Sequence, residues 1–398
     1  MITTTAPATP LTAPATKTRI VSIDILRGAV MIIMALDHVR DYFSTAQADP
    51  TDMHATTPLL FFTRWITHFC APTFVFLSGV SAYIAGQRKT RPDLSTFLIK
   101  RGIWLVLVEL VIVTLGWTFD PLYHVFILQV IWAIGWSMIV LGLVIRLSPV
   151  LVPILGVLLV AAHNITDYTH PSGNAWNLLM TSPPTFIGFG GQRGAFDLYA
   201  ILPWTGVMMM GYTVGQWFSS SYTPARRRKT LLLAGAGVIA LFIVLRLVNG
   251  YGDPHPWSKQ PTTLFSLLSF INVTKYPPSL MYLCMTIGPV LVLLALTEKA
   301  VGAFSGVLQV YGRVPFFYYV LHLYLIHICC TILFFASGYG FKDAHDPQAF
   351  FLFRRHDVGF GLGGVYLVWL FVVFLLYFPS KWYDAYKRVH HHWWLSYI

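Results

Sequence analysis

The chain has 398 residues, of which 56% are hydrophobic, 16% aromatic and only 11% charged. A soluble domain carries roughly a quarter charged residues, so a soluble enzyme, a disordered protein and a disulfide-stapled scaffold are excluded. A polytopic membrane protein remains, and the net charge of +11 is read as basic loops rather than as a nucleic-acid surface. Residues 1–19 open on Ala, Thr and Pro without periodicity and predict a disordered tail. Ten apolar stretches follow, at about residues 21–43, 60–86, 98–117, 124–146, 149–162, 197–218, 230–248, 278–297, 314–336 and 362–379. The predicted fold class is all-α, a polytopic integral membrane helical bundle of about ten transmembrane helices. It makes one domain over residues 20–380, with a cytoplasmic or interfacial tail at 381–398.

Basic residues set the expected orientation. With the N-terminus in the cytoplasm, the cytoplasmic segments hold 17 Lys and Arg and the opposite loops seven. That asymmetry predicts both termini in the cytoplasm. The outward loops at 163–196, 249–277 and 337–361 are long and rich in Pro, Gly and aromatics, a composition suited to covering a site or to lying at the interface. Cys70, Cys284, Cys329 and Cys330 all fall in apolar segments, which predicts neither a disulfide framework nor a C-x-x-C metal pair.

The first span, SIDILRGAVMIIMALDHVRDYF, carries Asp24, Arg27, Asp37, His38, Arg40 and Asp41. Ionisable groups inside a membrane cost several kcal/mol and are functional candidates by default. At 100° per residue, Arg27 and His38 differ by only about 20°, and Asp24, Met31, Met34 and Asp41 fall within about 60° of Arg27. One stripe therefore runs along the helix, with its Asp–Arg and His–Asp ends roughly 16 Å apart. The bland readings are an interfacial i,i+3 pair for Asp24 and Arg27, a solvated helix end for Arg40 and Asp41, and a histidine satisfied in a polar interior for His38. The functional reading makes His38 a general base oriented by a neighbouring carboxylate.

Further along, Arg64 and His68 share a face of the second span, and Pro72 predicts a kink there. Tyr318 and His322 share a face of the ninth, with Tyr319 alongside, a set suited either to proton relay or to packing. His327 points elsewhere and reads as packing. Glu109 and Arg246 stand alone in apolar spans and require interior partners. No metal site is predicted, and no nucleotide-binding loop is present.

Arg27-x10-His38, within S-I-D-x-L-R-G-x6-L-D-H-x-R-D, resembles the opening span of the transmembrane acyltransferases, in particular bacterial relatives of heparan-alpha-glucosaminide N-acetyltransferase. The Ala71-Pro72-Thr73-Phe74-Val75-Phe76-Leu77-Ser78-Gly79 segment and the Gly312-Arg313 to His322 region are similar to later parts of that family. The resemblance implies an acyl-CoA-dependent acyltransferase in a bacterial inner membrane. Such an enzyme would move an acyl group, acetyl by expectation, from cytosolic acetyl-CoA to an amino or hydroxyl group of an extracytoplasmic sugar or cell-envelope glycan. His38 then matches the catalytic base, with Asp37 and Asp41 as its carboxylates and His54, before the second span, as a rival base. Arg27, Asp24, Tyr319 and His322 would face the donor; Arg40, Arg64, His68 and Tyr318 would face the acceptor. Membrane lipid is an expected partner, and a homodimer is compatible with the sequence. The alternative from another class is a transporter of a small polar or lipid-linked molecule, for which no inverted repeat is visible.

Overall fold

Apolar length decides where helices form. The computed structural model describes residues 20–46, 49–166, 173–180, 184–191, 193–346, 349, 351–390 and 392–396. The tail expected at residues 1–19 lies outside them. Each of the ten apolar stretches contains a helix. Among the described residues, six helices are long and apolar enough to cross a membrane: Pro58–Gly86, Val130–Leu147, Pro224–Val248, Leu280–Lys299, Pro315–Ala336 and Leu362–Val389. The protein is a helical, polytopic membrane protein. The first helix, α1 (Val21–Phe43), has 23 residues and the length to span, but its charged side chains set it apart from those six.

In chain order, α2 (Pro58–Thr67) and α3 (Cys70–Gly86) form the second stretch, and α4 (Arg91–Val108) leads through a π-helical turn at Glu109–Val113 into α5 (Thr114–Thr118). After a strand, β1 (Val125–Leu128), come α6 (Val130–Leu147), α7 (Leu151–Ala162) and the short α8 (Asn174–Leu179). Strands β2 (Thr185–Gly190) and β3 (Arg193–Asp197) precede α9 (Ile201–Gly215), α10 (Pro224–Val248), α11 (Thr263–Ile271) and α12 (Leu280–Leu296). The chain ends with α13 (Ala303–Arg313), α14 (Pro315–Ala336) and α15 (Leu362–Val389), the last continuing straight through the segment expected to start a tail at residue 381.

Helix α1 occupies the middle of the bundle and packs against α2, α3, α12, α13, α14 and α15. Its closest neighbour is α13, and two glycines permit the approach. A Cβ on Gly28 would stand 1.8 Å from the Leu308 carbonyl oxygen, and one on Gly312 would stand 1.8 Å from the Asp24 carbonyl oxygen. Both belong to the motifs that carried the family resemblance.

The kink expected at Pro72 is a break. Pro72 has no N–H for the His68 carbonyl, α2 stops at Thr67, and the Tyr282 hydroxyl donates to the freed carbonyl at 2.7 Å. The two lone ions also find partners. Arg246 donates to the carbonyls of Phe270, His255, Ser269 and Asn272 at 2.6–3.0 Å, fixing the loop that leads into and out of α11. Glu109 accepts from the Gln129 N–H at 2.7 Å and so caps α6.

The chain is mostly helical, as expected, with one small sheet among the described residues. β1 pairs parallel to β3, and β3 pairs antiparallel to β2, giving the order β1-β3-β2. The stretch read as a span from residue 124 therefore begins as a strand, because Val125-Phe126-Ile127 is β-branched and aromatic and its ladder partner, β3, lies outside the apolar pattern. This small sheet sets two residues of the site, Gln129 just after β1 and Tyr199 just after β3.

Adding a methyl at the α1–α13 crossing tests the packing. Gly28→Ala gains about 1 kcal/mol of helix propensity but forces two backbones apart, so a net loss of about 1–3 kcal/mol is expected from overpacking. A melting temperature in detergent equal to or above that of the unaltered protein would contradict this account.

Candidate active site

Asp37 fixes the polar end of α1. Arg40, one helical turn on, places Nη2 2.8 Å from Asp37 Oδ1, and Arg64 on α2 donates Nη1 to Asp37 Oδ2. Arg40 Nη2 also donates to Asp41 Oδ1 at 2.9 Å. Asp37 is thus held by two guanidiniums, and the carboxylate that addresses His38 is Asp41, whose Oδ2 lies 3.8 Å from His38 Nδ1. Arg64, expected to face the acceptor, pairs with Asp37.

His38 is buried against aromatic rings from two other helices. Its ring stands edge-on to Trp117 of α5, with centroids 4.7 Å apart, and 5.2 Å from the ring of His322 on α14. His322 is fully buried; its Nδ1 lies 3.2 Å from the Tyr318 carbonyl oxygen, so this nitrogen carries the proton and Nε2 is the acceptor. No described protein group bonds to that Nε2, to His38 Nδ1 or to the Tyr318 hydroxyl, although all three are buried. Tyr318 stacks on His322 at 5.4 Å, and Tyr319 meets it edge-on at the same distance.

A cavity of about 30 Å³ opens beside His38, lined by Met34, Asp37, Cys70, Gln129, Tyr199 and Lys275 among others. It has room for a reacting group but not for a whole ligand. A larger bowl of about 360 Å³ lies beyond the C-terminal end of α1, lined by Arg40, Asp41, Ser44, Ala46, Asp49, Pro50, Leu60 and Arg354. Asp41 belongs to its wall and also stands beside His38. The loop at 351–360 closes over this end: Phe360 N–H donates to the Phe43 carbonyl at 2.7 Å, and Arg354 donates to the Ser44 carbonyl at 2.7 Å. His327, the predicted packing residue, anchors the same loop through the Leu352 carbonyl at 2.8 Å.

At the opposite end of α1, Arg27 donates to Ser81 of α3 and stands 3.7 Å from Asp24. Arg313 of α13 approaches Asp24 at 3.7 Å and Asp384 of α15 at 3.4 Å, and Arg388 pairs with Asp384. Arg27 therefore faces α3 and the bundle.

Several expected residues stand apart. His54 lies on an exposed turn, its backbone N–H bonded to Asp52 Oδ1 at 2.9 Å, and does not line the cavity. His68 ends α2 against Tyr282, behind the cavity wall. Lys275, Gln129, Tyr199 and Trp117 escape sequence reasoning. Lys275 alone left a trace, as a basic residue on the side where Lys and Arg are scarce. Among the described residues, Asp346, His356 and Asp357 bring ligand atoms within 4.8 Å of one another. They already satisfy each other or nearby groups: His356 Nδ1 lies 2.9 Å from Asp346, and hydrogen bonds from Tyr339 and Arg355 hold the Asp357 carboxyl down at about 2.

A buried histidine on a charged central helix thus lines a small cavity, and a carboxylate beside it lines a larger bowl, within a helical membrane protein. The catalytic-domain profile of heparan-alpha-glucosaminide N-acetyltransferase matches residues 19–246, more than half of the chain. The chain belongs to this family of transmembrane acetyltransferases. Comparison with curated proteins gives no match. Lys275, His322 and Tyr318 all lie beyond the matched segment, yet the fold brings them to the matched histidine.

The clamp on Asp37 predicts a coupled stability pattern. Asp37→Asn leaves two mostly buried guanidiniums facing each other and is expected to cost about 3–5 kcal/mol. Combining it with Arg64→Met is expected to cost less than the two single changes added together, read from melting in detergent as a double-mutant cycle. Strict additivity would show that the pair is not coupled.

Proposed function

We propose that this protein transfers an acetyl group from cytosolic acetyl-CoA to an amino or hydroxyl group of an extracytoplasmic sugar or cell-envelope glycan. The carrying observation is His38, which lines the small cavity and is buried beside His322 and beside Asp41, itself a lining residue of the larger bowl. In this reading the N-terminal end of α1 faces the cytoplasm, in line with the basic-residue asymmetry, and Arg27 and Asp24 with Arg313 meet the donor. The acceptor occupies the bowl, whose volume lies within the range of small-molecule sites. Its nucleophile reaches His38 past Asp41.

His38 acts as general base. Asp41 favours the imidazolium that forms when the acceptor proton arrives, and the Nε2 of His322 offers that proton a second acceptor within the same buried cluster. Asp37 contributes by holding Arg40 and Arg64 in place rather than by touching His38. Tyr318 and Tyr319 keep the His322 ring in its plane. Direct attack of the acceptor on the thioester needs no covalent enzyme intermediate, because α1 spans the roughly 16 Å between the two ends and both substrates can meet at the cavity.

Purified protein in detergent, given radiolabelled acetyl-CoA and a panel of amino sugars, tests the reading. His38→Ala is expected to lower kcat by about 10²–10⁴-fold, and His54→Ala to leave it within a few-fold. Survival of transfer in His38→Ala with loss in His54→Ala would move the base to the exposed histidine. No transfer by the unaltered protein would sink the enzymatic reading.

A further inference from the structure

The charges around the His38 cavity do not cancel. Two carboxylates, Asp37 and Asp41, face three side-chain cations, Arg40, Arg64 and Lys275. Both guanidiniums are engaged by the carboxylates. Lys275 has no carboxylate oxygen within 4.0 Å of its Nζ among the described residues, and its side chain hydrogen-bonds the Tyr276 phenol instead. It is nonetheless 8% exposed and lines the same cavity as His38. An ammonium this buried without a carboxylate is costly unless the site uses it.

The surroundings of Lys275 hold it in place. It belongs to the segment between α11 and α12, and its Nζ lies 5.0 Å from the centroid of the neighbouring Tyr276 ring. Tyr276 packs edge-on against Tyr199 at 5.5 Å, and Tyr199, just after β3, lines the same cavity. Burial pushes the Tyr276 phenol up, but the Lys275 ammonium and the Arg64 guanidinium outweigh it and hold the group below its usual range. Lys275 thus lines the same cavity as the buried His38, together with Gln129.

We propose that Lys275 is a catalytic residue whose ammonium stabilises the oxyanion formed on the thioester carbonyl while His38 removes the acceptor proton. This role rests on the acetyl-transfer reading and adds a second reacting group to it. The balance is complete. The acceptor N–H or O–H gives its proton to His38 as its electron pair bonds to the thioester carbon. The carbonyl π pair moves onto oxygen, facing Lys275. That pair then returns, the C–S bond breaks, and the coenzyme A thiolate takes the proton from the His38 imidazolium. A cation placed before the reaction serves the transition state more than the ground state, because full negative charge exists on that oxygen only in between.

The test compares full-length Lys275→Met, Lys275→Gln and Lys275→Arg with the unaltered protein, measuring kcat, both KM values and the melting temperature in detergent. Lys275→Met and Lys275→Gln are expected to lower kcat by about 10²–10³-fold, with each KM within a few-fold and the melting temperature kept. Lys275→Arg is expected to recover part of the rate. Retained kcat in the Met variant overturns the proposal. So does a raised acceptor KM at unchanged kcat, which makes Lys275 a ground-state binding group, or a rate loss that follows the melting temperature across all three variants. An unaltered protein without transfer fails differently, taking down the acetyl-transfer reading and the oxyanion role together.

Discussion

The ion cluster on Asp37 governs the arrangement of everything near it. A single charged side chain at the centre of a membrane helix costs about 2.5–3.5 kcal/mol on insertion scales. Helix α1 carries five, so it is tolerable only if its partners are built in. Asp37 takes Arg40 from its own helix and Arg64 from α2. Asp24 takes Arg27 from its own helix and Arg313 from α13. Such pairing requires other helices on all sides, which places α1 in the middle of the bundle. Gly28 and Gly312 follow from the same demand, since Arg313 reaches Asp24 only where α13 lies against the backbone of α1.

The clamp also divides labour among the carboxylates. A base needs a partner that stabilises its protonated form, and the carboxylate next to His38 in sequence is already engaged by two guanidiniums. Asp41 is left, one turn further along and at the wall of the bowl. The group that tunes the histidine therefore also meets whatever enters from that side. In the proposed reaction, proton removal by His38 is linked to occupancy of the bowl through Asp41, with no moving part required.

Much of the helical fold was legible because membrane spans announce themselves by apolar length, and the stripe on α1 because 3.6-residue periodicity aligns residues eleven apart. The break at His68 was foreshadowed by Pro72. What escaped depends on long-range pairing. Val125-Phe126-Ile127 is too short and apolar to be told from a helix start without knowing that β3 lies beside it. Gln129 and Tyr199 owe their places in the cavity to that ladder, so no local pattern marks them. Lys275 opens a turn in a loop, where a lysine is ordinarily solvated, and the neighbouring Tyr276 packs inward against Tyr199. The assignment of Asp41 over Asp37 was equally hidden, because sequence adjacency favours Asp37 and only the position of Arg64 reveals that it is taken.

The family match stops at residue 246, but the reaction centre does not. His322 and Lys275 reach His38 from the unmatched part, one on a long helix and the other on a loop. The two differ in how they are held. His322 lies within the regular hydrogen bonding of α14 and is wedged between Tyr318 and Tyr319. Lys275 depends on a loop whose flanks are bound elsewhere: Arg246 grips the carbonyls of Ser269, Phe270 and Asn272, and Asp253 accepts from the Thr274 N–H at 2.8 Å and the Ser279 hydroxyl at 2.6 Å. Arg246 bonds to backbone carbonyls and to the Met281 sulfur at 3.7 Å, and to nothing that lines the cavity. In the proposed reaction its value lies in restraining the segment that presents an ammonium to the cavity, since an ion displaced by 1 Å from a developing charge in a low-dielectric site loses much of its effect.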